Sequence, residues 1–395
     1  MSAAADDLTV RRIGRLLPMT AEPMTDAALV VRAGRVSWSG PDADLPAGAP
    51  EHELDAAGAA VVPGFVDAHT HLVYAGVRRD EFVARLAGEH YDGGGIRTTV
   101  DATRAASTAE LVDLASARAG AALGHGTTTM EVKTGYGLAP EEELRLLDAI
   151  GLLAGRTPIR LEPTYLGAHV VPAGRDRGDY VDEVIATLPA AREHGARWAD
   201  VFCDRGVFTV EEARRILLAA RAAGLGLRLH AEEIARTGAA DLAAELGCAS
   251  ADHLEHVSPE AAAAMVSAGV VAVLLPTVTL SLRSSAWGHA RVLAEAGVEL
   301  ALATDCNPGT SWCESMPYAI QLGCLEMGLS VAQAFRAATL GAARSLRRED
   351  VGHLGDGAWG DLVVLDAEHE ADVVAHLGAP AARAVVVGGR VESGA

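Results

Sequence analysis

The run Val61-Val62-Pro63-Gly64-Phe65-Val66-Asp67-Ala68-His69-Thr70-His71 decides how this chain is read. Its apolar approach reads as a buried strand, and residues two apart on a strand point to the same side. His69 and His71 would therefore leave the strand end together, in a geometry that suits chelation of one metal ion. Two histidines at a loop mouth are also ordinary polar residues, so the rest of the chain has to discriminate.

Outward from this run, short apolar segments alternate with Ala- and Leu-rich stretches of helical period. Further strands are expected at Thr127–Tyr136, Ile159–His169, Trp198–Asp204, Leu225–Glu233, Ala249–His256, Gly269–Val278 and Val298–Asn307, eight with the first. Helices are expected between them at Thr108–Leu123, Glu141–Ala154, Val210–Ala223 and Pro259–Ala268. Ser107 before Glu110 and Thr209 before Glu212 have capping-box spacing. Strand and helix alternating eight times is the pattern of an α/β fold of the (β/α)8 barrel type; a doubly wound open sheet is the other arrangement of such elements.

The two ends differ from the middle. Ala28–Trp38 and Ala384–Val391 read as hairpins, the second turning at Gly388-Gly389, and Asp361–Asp366 adds a strand. Neither end is long enough to bury a core by itself, so the two are expected to form one small β-sandwich domain beside the barrel. The expected boundaries are 1–62 and 351–395 for its two parts and 63–350 for the catalytic barrel.

Composition narrows the partners. Of 395 residues half are hydrophobic and 22% charged, which describes a soluble globular protein. The 33 Lys and Arg against 53 Asp and Glu leave a net charge of -20. That field repels nucleic acid and anionic membranes, and it obliges any anionic substrate to find a local cation. Met1–Leu17 has no signal-like apolar core, and no apolar stretch reaches the roughly 18 residues that span a bilayer. The cysteines, five in number, form no C-x-x-C pair. A reducing cytoplasm is the expected location.

If the barrel is right, chemistry collects at the C-terminal ends of its strands. His69 and His71 end strand one, His169 strand three, His230 with Glu233 strand five and Asp305 strand eight, while His253 lies on strand six. Three imidazoles and a carboxylate would form a nitrogen and oxygen site suited to zinc or iron, with room for a water. A divalent ion lowers that water's pKa from 15.7 toward about 7. A metal-bound water that attacks a carbonyl also needs a carboxylate to take its proton, and Glu233, three residues beyond His230, is placed for it. Its other reading is a helix cap.

These residues resemble a known group. Pro63-Gly64-Phe65-Val66-Asp67-Ala68-His69-Thr70-His71, His230 and Thr304-Asp305 look like the amidohydrolase superfamily. Within it, Glu131–Gly137, Leu166–His169, Leu229–Glu233, Ala251–Glu255 and above all Ala303–Thr310 look like the imidazolonepropionase family, the resemblance running from Val61 to Leu346. It implies hydrolytic opening of 4-imidazolone-5-propanoate to N-formimidoyl-L-glutamate, a step of histidine breakdown, on one divalent metal ion, zinc or iron. By position the ligands would be His69, His71, His230 and Asp305. Glu233 would activate the water, and His253 would orient it or stabilise the oxyanion. Arg78 would hold the propionate, although beside Arg79 it also reads as a surface pair. Tyr136, His169, Asn307, Gly309 and Thr310 would complete the substrate contacts. Lys133 would play a supporting role, as opposed to being a carbamylated ligand, and Cys306 would be packing. The resemblance also implies a homodimer.

The chain departs from the family pattern twice. Tyr91-Asp92 leads straight into Gly93-Gly94-Gly95-Ile96 where a longer segment is usual, and aromatic residues are missing after Pro276. The rival functions are another amidohydrolase acting on a different small cyclic amide, a purine-type deaminase, or a barrel without catalysis.

Overall fold

The computed structural model describes residues 7–88 and 95–393. The shortened segment at residues 91–94 lies outside the described residues.

The chain opens with β1 (Leu8–Leu16), β2 (Met24–Arg32), β3 (Arg35–Pro41), β4 (Glu53–Asp55) and β5 (Ala60–Pro63). Beyond Gly64 come β6 (Phe65–Asp67), β7 (Thr127–Lys133), β8 (Arg160–Ala168), β9 (Trp198–Cys203), β10 (Gly226–Ala231), β11 (Ser250–His253), β12 (Val271–Leu274) and β13 (Leu300–Leu302). The C-terminal part adds β14 (Leu362–Leu365), β15 (Ala382–Val387) and β16 (Arg390–Ser393).

Strands β6 to β13 pair in chain order, each parallel to the next. The ring closes between its first and last members. Thr70 bridges Cys306 in parallel, the Asp305 N–H donates to His69 O at 2.9 Å, and the His71 N–H donates to Cys306 O at 2.9 Å. Below this the Asp67 carboxylate accepts the Thr304 N–H at 3.0 Å and its hydroxyl at 2.6 Å. The result is a (β/α)8-type barrel with the expected helices outside it, and both expected capping boxes are formed, at Ser107 and Thr209.

The remaining strands form one mixed sheet ordered β16-β15-β14-β5-β1-β2-β3, with β4 beside β1. Both chain ends contribute to it, as expected. Its residues alternate between two cores: Leu362 and Val364 of β14 join the sheet's own core, while Val363 and Leu365 join that of the barrel. The sheet is therefore buried on both faces along this seam.

Strand eight, expected at Val298–Asn307, is only Leu300–Leu302, with Asp305 in the loop beyond it, and two further expected strands need correction. The opening run is not one strand but two, split at Gly64, whose N–H donates to Asp361 O while that of Phe65 donates to Gly126 O, both at 2.9 Å. A Cβ on Gly64 would lie 2.1 Å from Thr128 Oγ1, so only glycine lets the chain pass from one sheet to the other here. Strand seven was expected at Gly269–Val278 but ends at Leu274. Pro276 opens the helix Pro276–Ser281 instead, since proline offers no ladder donor and fits a helix's first turn.

Candidate active site

Barrel closure assembles the site. Because Asp305 N is bonded to His69 O, the Asp305 side chain is delivered to the imidazoles of the same strand end. Asp305 Oδ1 lies 3.5 Å from His69 Nε2 and 3.4 Å from His71 Nε2. Potential ligand atoms of His69, His230 and His253 form a second group within 4.8 Å of one another. The His69 and His230 rings meet edge to face with centroids 4.4 Å apart. His69, His71, His230, His253 and Asp305 are all buried.

These groups fit a cation. His69 Nε2 and Asp305 Oδ1 are buried and find no hydrogen-bond partner, an arrangement that costs free energy unless an ion completes it. Burial, then the charge of Lys133, holds the His69 pKa well below its usual value, and burial with neighbouring His169 does the same to His71. Neutral imidazoles offer lone pairs. Burial pushes the Asp305 carboxyl well above the ordinary range, which a bound positive charge would reverse.

Beside the histidines opens a cavity of about 1020 Å³, lined among others by His71, Arg78, Tyr136, His169, His230, Glu233, His253, Asp305, Asn307 and Thr310. Glu233 is pushed well above its usual pKa by burial and then by the carboxylates of Glu255 and Asp305. Its Oε2 is 3.8 Å from His253 Nδ1. His169 stacks on His71 at 5.2 Å and its Nδ1 meets Gly135 O at 2.9 Å. Tyr136 packs 5.4 Å from His169. Ser281, which ends the helix Pro276–Ser281, and the following Leu282 and Arg283 supply part of the cavity wall where aromatic residues are missing.

Arg78 is 8% exposed, so the surface reading fails. Its guanidinium bonds Glu81 through Nε and NH2, both at 2.8 Å, and a substrate carboxylate would have to share it with Glu81. Asn307 knots its own loop, Nδ2 donating to Asp305 O at 2.7 Å and Oδ1 accepting the N–H of Gly309 and of Thr310 at 2.8 Å. Gly309 lies directly under Arg78. Cys306 is buried.

Lys133 Nζ donates to Glu131 Oε1 at 2.8 Å and to Asp200 Oδ2 at 2.7 Å. Burial lowers its pKa but Asp200 and Glu131 outweigh burial and leave it raised. The ammonium so held pairs two buried carboxylates.

Several residues escaped the sequence reading. Arg85 donates to Gly309 O at 2.8 Å and lies seven residues after Arg78, two turns of the helix Arg79–Leu86. Glu143 accepts the N–H of Gly135 and of Gly137 at 2.8 Å and of Leu138 at 2.7 Å, fixing the loop that carries Tyr136. Asp252, Asp200, Glu131 and Arg228 are wholly buried beneath the histidines. Charged residues within apolar strands were the available signal.

An eight-stranded parallel barrel with histidines and an aspartate joined at its rim defines a metal-dependent hydrolase, and the family described as the amidohydrolase family matches residues 60–391, so the chain belongs to that family. It is 48% identical over 382 residues to the imidazolonepropionase of Myxococcus xanthus, covering 93% of this chain and 90% of that one. It is 45% identical over 370 residues to that of Mycolicibacterium smegmatis, covering 93% and 91%. Within the amidohydrolases the chain belongs to the imidazolonepropionases, enzymes of the metal-dependent, cyclic-amide-hydrolysing type. Solved structures share the fold at lower identity. Ochratoxinase of A. niger superposes with a TM-score of 0.77 at 19% identity, over 100% of this chain and 97% of that one. An adenosine deaminase of Xanthomonas campestris with bound zinc gives 0.73 at 19%, over 98% and 93%. Among the described residues no helix is long and apolar enough to cross a membrane.

Proposed function

We propose that the substrate is 4-imidazolone-5-propanoate, opened to N-formimidoyl-L-glutamate, and that His69, His71, His230 and Asp305 hold one divalent ion, zinc or iron. The observation that carries this reading is the approach of His69 Nε2 and of His71 Nε2 to within 3.5 Å of Asp305 Oδ1, beside a cavity that also takes in Glu233. When bound, the ion supplies Lewis acidity and a water of lowered pKa.

The protein's own groups do the rest. Glu233 takes the proton of the attacking water as the carbonyl becomes tetrahedral, then returns it to the departing ring nitrogen. Burial suits it to this exchange by raising its proton affinity. His253, 3.8 Å from Glu233, orients the water or stabilises the oxyanion. Tyr136 and His169 flank the ring. Arg78, Asn307, Gly309 and Thr310 receive the propionate, answering the net charge of -20 with a local cation.

The chain is also assigned a catalytic barrel over 63–350, a composite β-domain over 1–62 and 351–395, a homodimeric state, a cytoplasmic location and no nucleic-acid partner. The catalytic reading is tested with freshly generated substrate, following loss of its absorbance on metal-analysed protein. Glu233→Gln should retain metal yet lose at least about a hundredfold in kcat, the ordinary span of a general base. Undiminished turnover in that variant, or a metal-free parent of full activity, refutes it.

A further inference from the structure

Beneath the proposed ligands lies a layer of charge that touches neither the cavity nor the reacting atoms. Asp252 Oδ2 lies 2.7 Å from His69 Nδ1, on the side of the ring away from Asp305. Asp200 Oδ1 accepts the backbone N–H of His230 at 3.1 Å, and Oδ2 lies 3.0 Å from His230 Nδ1 without forming a hydrogen bond to it. Two cations hold these carboxylates. Lys133 Nζ stands 2.7 Å from Asp200 and 3.7 Å from Asp252. Arg228 NH2 stands 3.3 Å from Asp252 and donates at 2.8 Å to Ala68 O, the carbonyl just before His69. All four side chains are wholly buried.

We propose that Lys133 and Arg228 clamp Asp252 and Asp200, and that the two aspartates are positioning residues: Asp252 fixes the tautomer of His69, Asp200 holds His230 by its backbone N–H, and together they set metal affinity. The inference rests on the ligand assignment above. An imidazole with its proton held at Nδ1 must present a bare Nε2, and His69 Nε2 is the unpartnered atom that faces Asp305. The carboxylates cannot turn away, because each is tied to a cation that reaches another part of the barrel. Arg228 also donates to Ser345 O at 2.8 Å, at the end of the helix Ala342–Ser345. One ammonium between both aspartates couples the two imidazoles, so loosening either aspartate should disturb both.

Apo protein is refilled with zinc in competition with a chromophoric chelator, and the ring tautomers are read by nitrogen NMR on histidine-labelled apo protein. Asp252→Asn, whose amide can present N–H to the ring in place of oxygen, should weaken zinc binding about 10- to 100-fold. It should turn the single Nδ1–H form of His69 into a mixture, and Asp252→Glu should restore part of both. Lys133→Gln should weaken zinc similarly and combine with Asp252→Asn less than additively. A folded Asp252→Asn protein that binds zinc within twofold of the parent, with the His69 tautomer unchanged, overturns the inference. If that variant does not fold, parent-like zinc affinity in Lys133→Gln overturns it equally. A parent that binds no zinc or iron brings down the ligand assignment itself, and the inference with it.

Discussion

Gly309 carries no side chain because Arg78 occupies the space: a Cβ there would lie 2.3 Å from NH1. Gly309→Ala should therefore push the guanidinium aside while leaving the histidines untouched. A charge-assisted hydrogen bond to carboxylate is worth about 1.5 to 3 kcal/mol, so KM for the propionate substrate should rise about tenfold or more with kcat little changed. Imidazolone lacking the side chain should show no such rise. Equal effects on both compounds, or none on either, would mean that Arg78 does not receive the carboxylate. Residue-scale legibility ended at backbone conformation. Asp305, His253 and Leu254 all have left-handed φ, of 48°, 75° and 70°, a strained state that non-glycine residues adopt where surrounding contacts impose it. Residue type marked Asp305 and His253 as chemically interesting, but nothing in their type reveals that turn of the chain.

At the scale of the strand, polar residues recur every second position and point into the barrel: Asp67, His69 and His71 before and after the end of β6, Glu131 and Lys133 on β7, Arg228 and His230 on β10. The histidines among them were legible because imidazole at a strand end suggests chemistry. Glu131 and Arg228 carried the same period but look like ordinary solvated charges until burial is known. Strand extents were legible where apolar runs had clear ends, and failed where an apolar run crossed a breaker, at Gly64 and at Pro276. Gly64→Ala tests the first case. Its methyl must displace Thr128 in a seam between two cores, and overpacking of that kind costs about 1 to 3 kcal/mol. Denaturant titration should show that loss; a parent-like midpoint would mean the two strands do not need a glycine joint. Thr209→Ala is the contrast. It removes a hydroxyl that caps the helix Val210–Ala222 at Glu212 N, and should cost about 1 kcal/mol with no change in kcat/KM.

On the scale of the whole molecule, the chain ends must stay joined to the barrel for the site to keep its shape, because β5 and β6 are separated by one residue. Arg15 on β1 reaches Glu370, at the start of the helix Glu370–Ala375, through two hydrogen bonds of 2.7 and 3.0 Å. That helix is in turn held to the barrel side by Gln321, whose amide donates to Val373 O at 2.8 Å. Burial raises the Glu370 pKa, but the hydrogen bond and charge of Arg15 outweigh burial and leave it below the ordinary 4.5. For a group whose folded pKa is lowered, the stabilisation is complete above the unfolded value and disappears as pH falls through the folded one. At neutral pH, Arg15→Gln should therefore cost about 1 to 2 kcal/mol, typical of a partly buried charge-assisted pair. The gap between parent and variant should narrow on acidification below about pH 4.5 and close once Glu370 is protonated in the parent. Urea titrations of both proteins across that range measure it. A difference that persists unchanged in acid would assign the loss to packing of the Arg15 stem, with the ion pair contributing nothing to the union of the two chain ends.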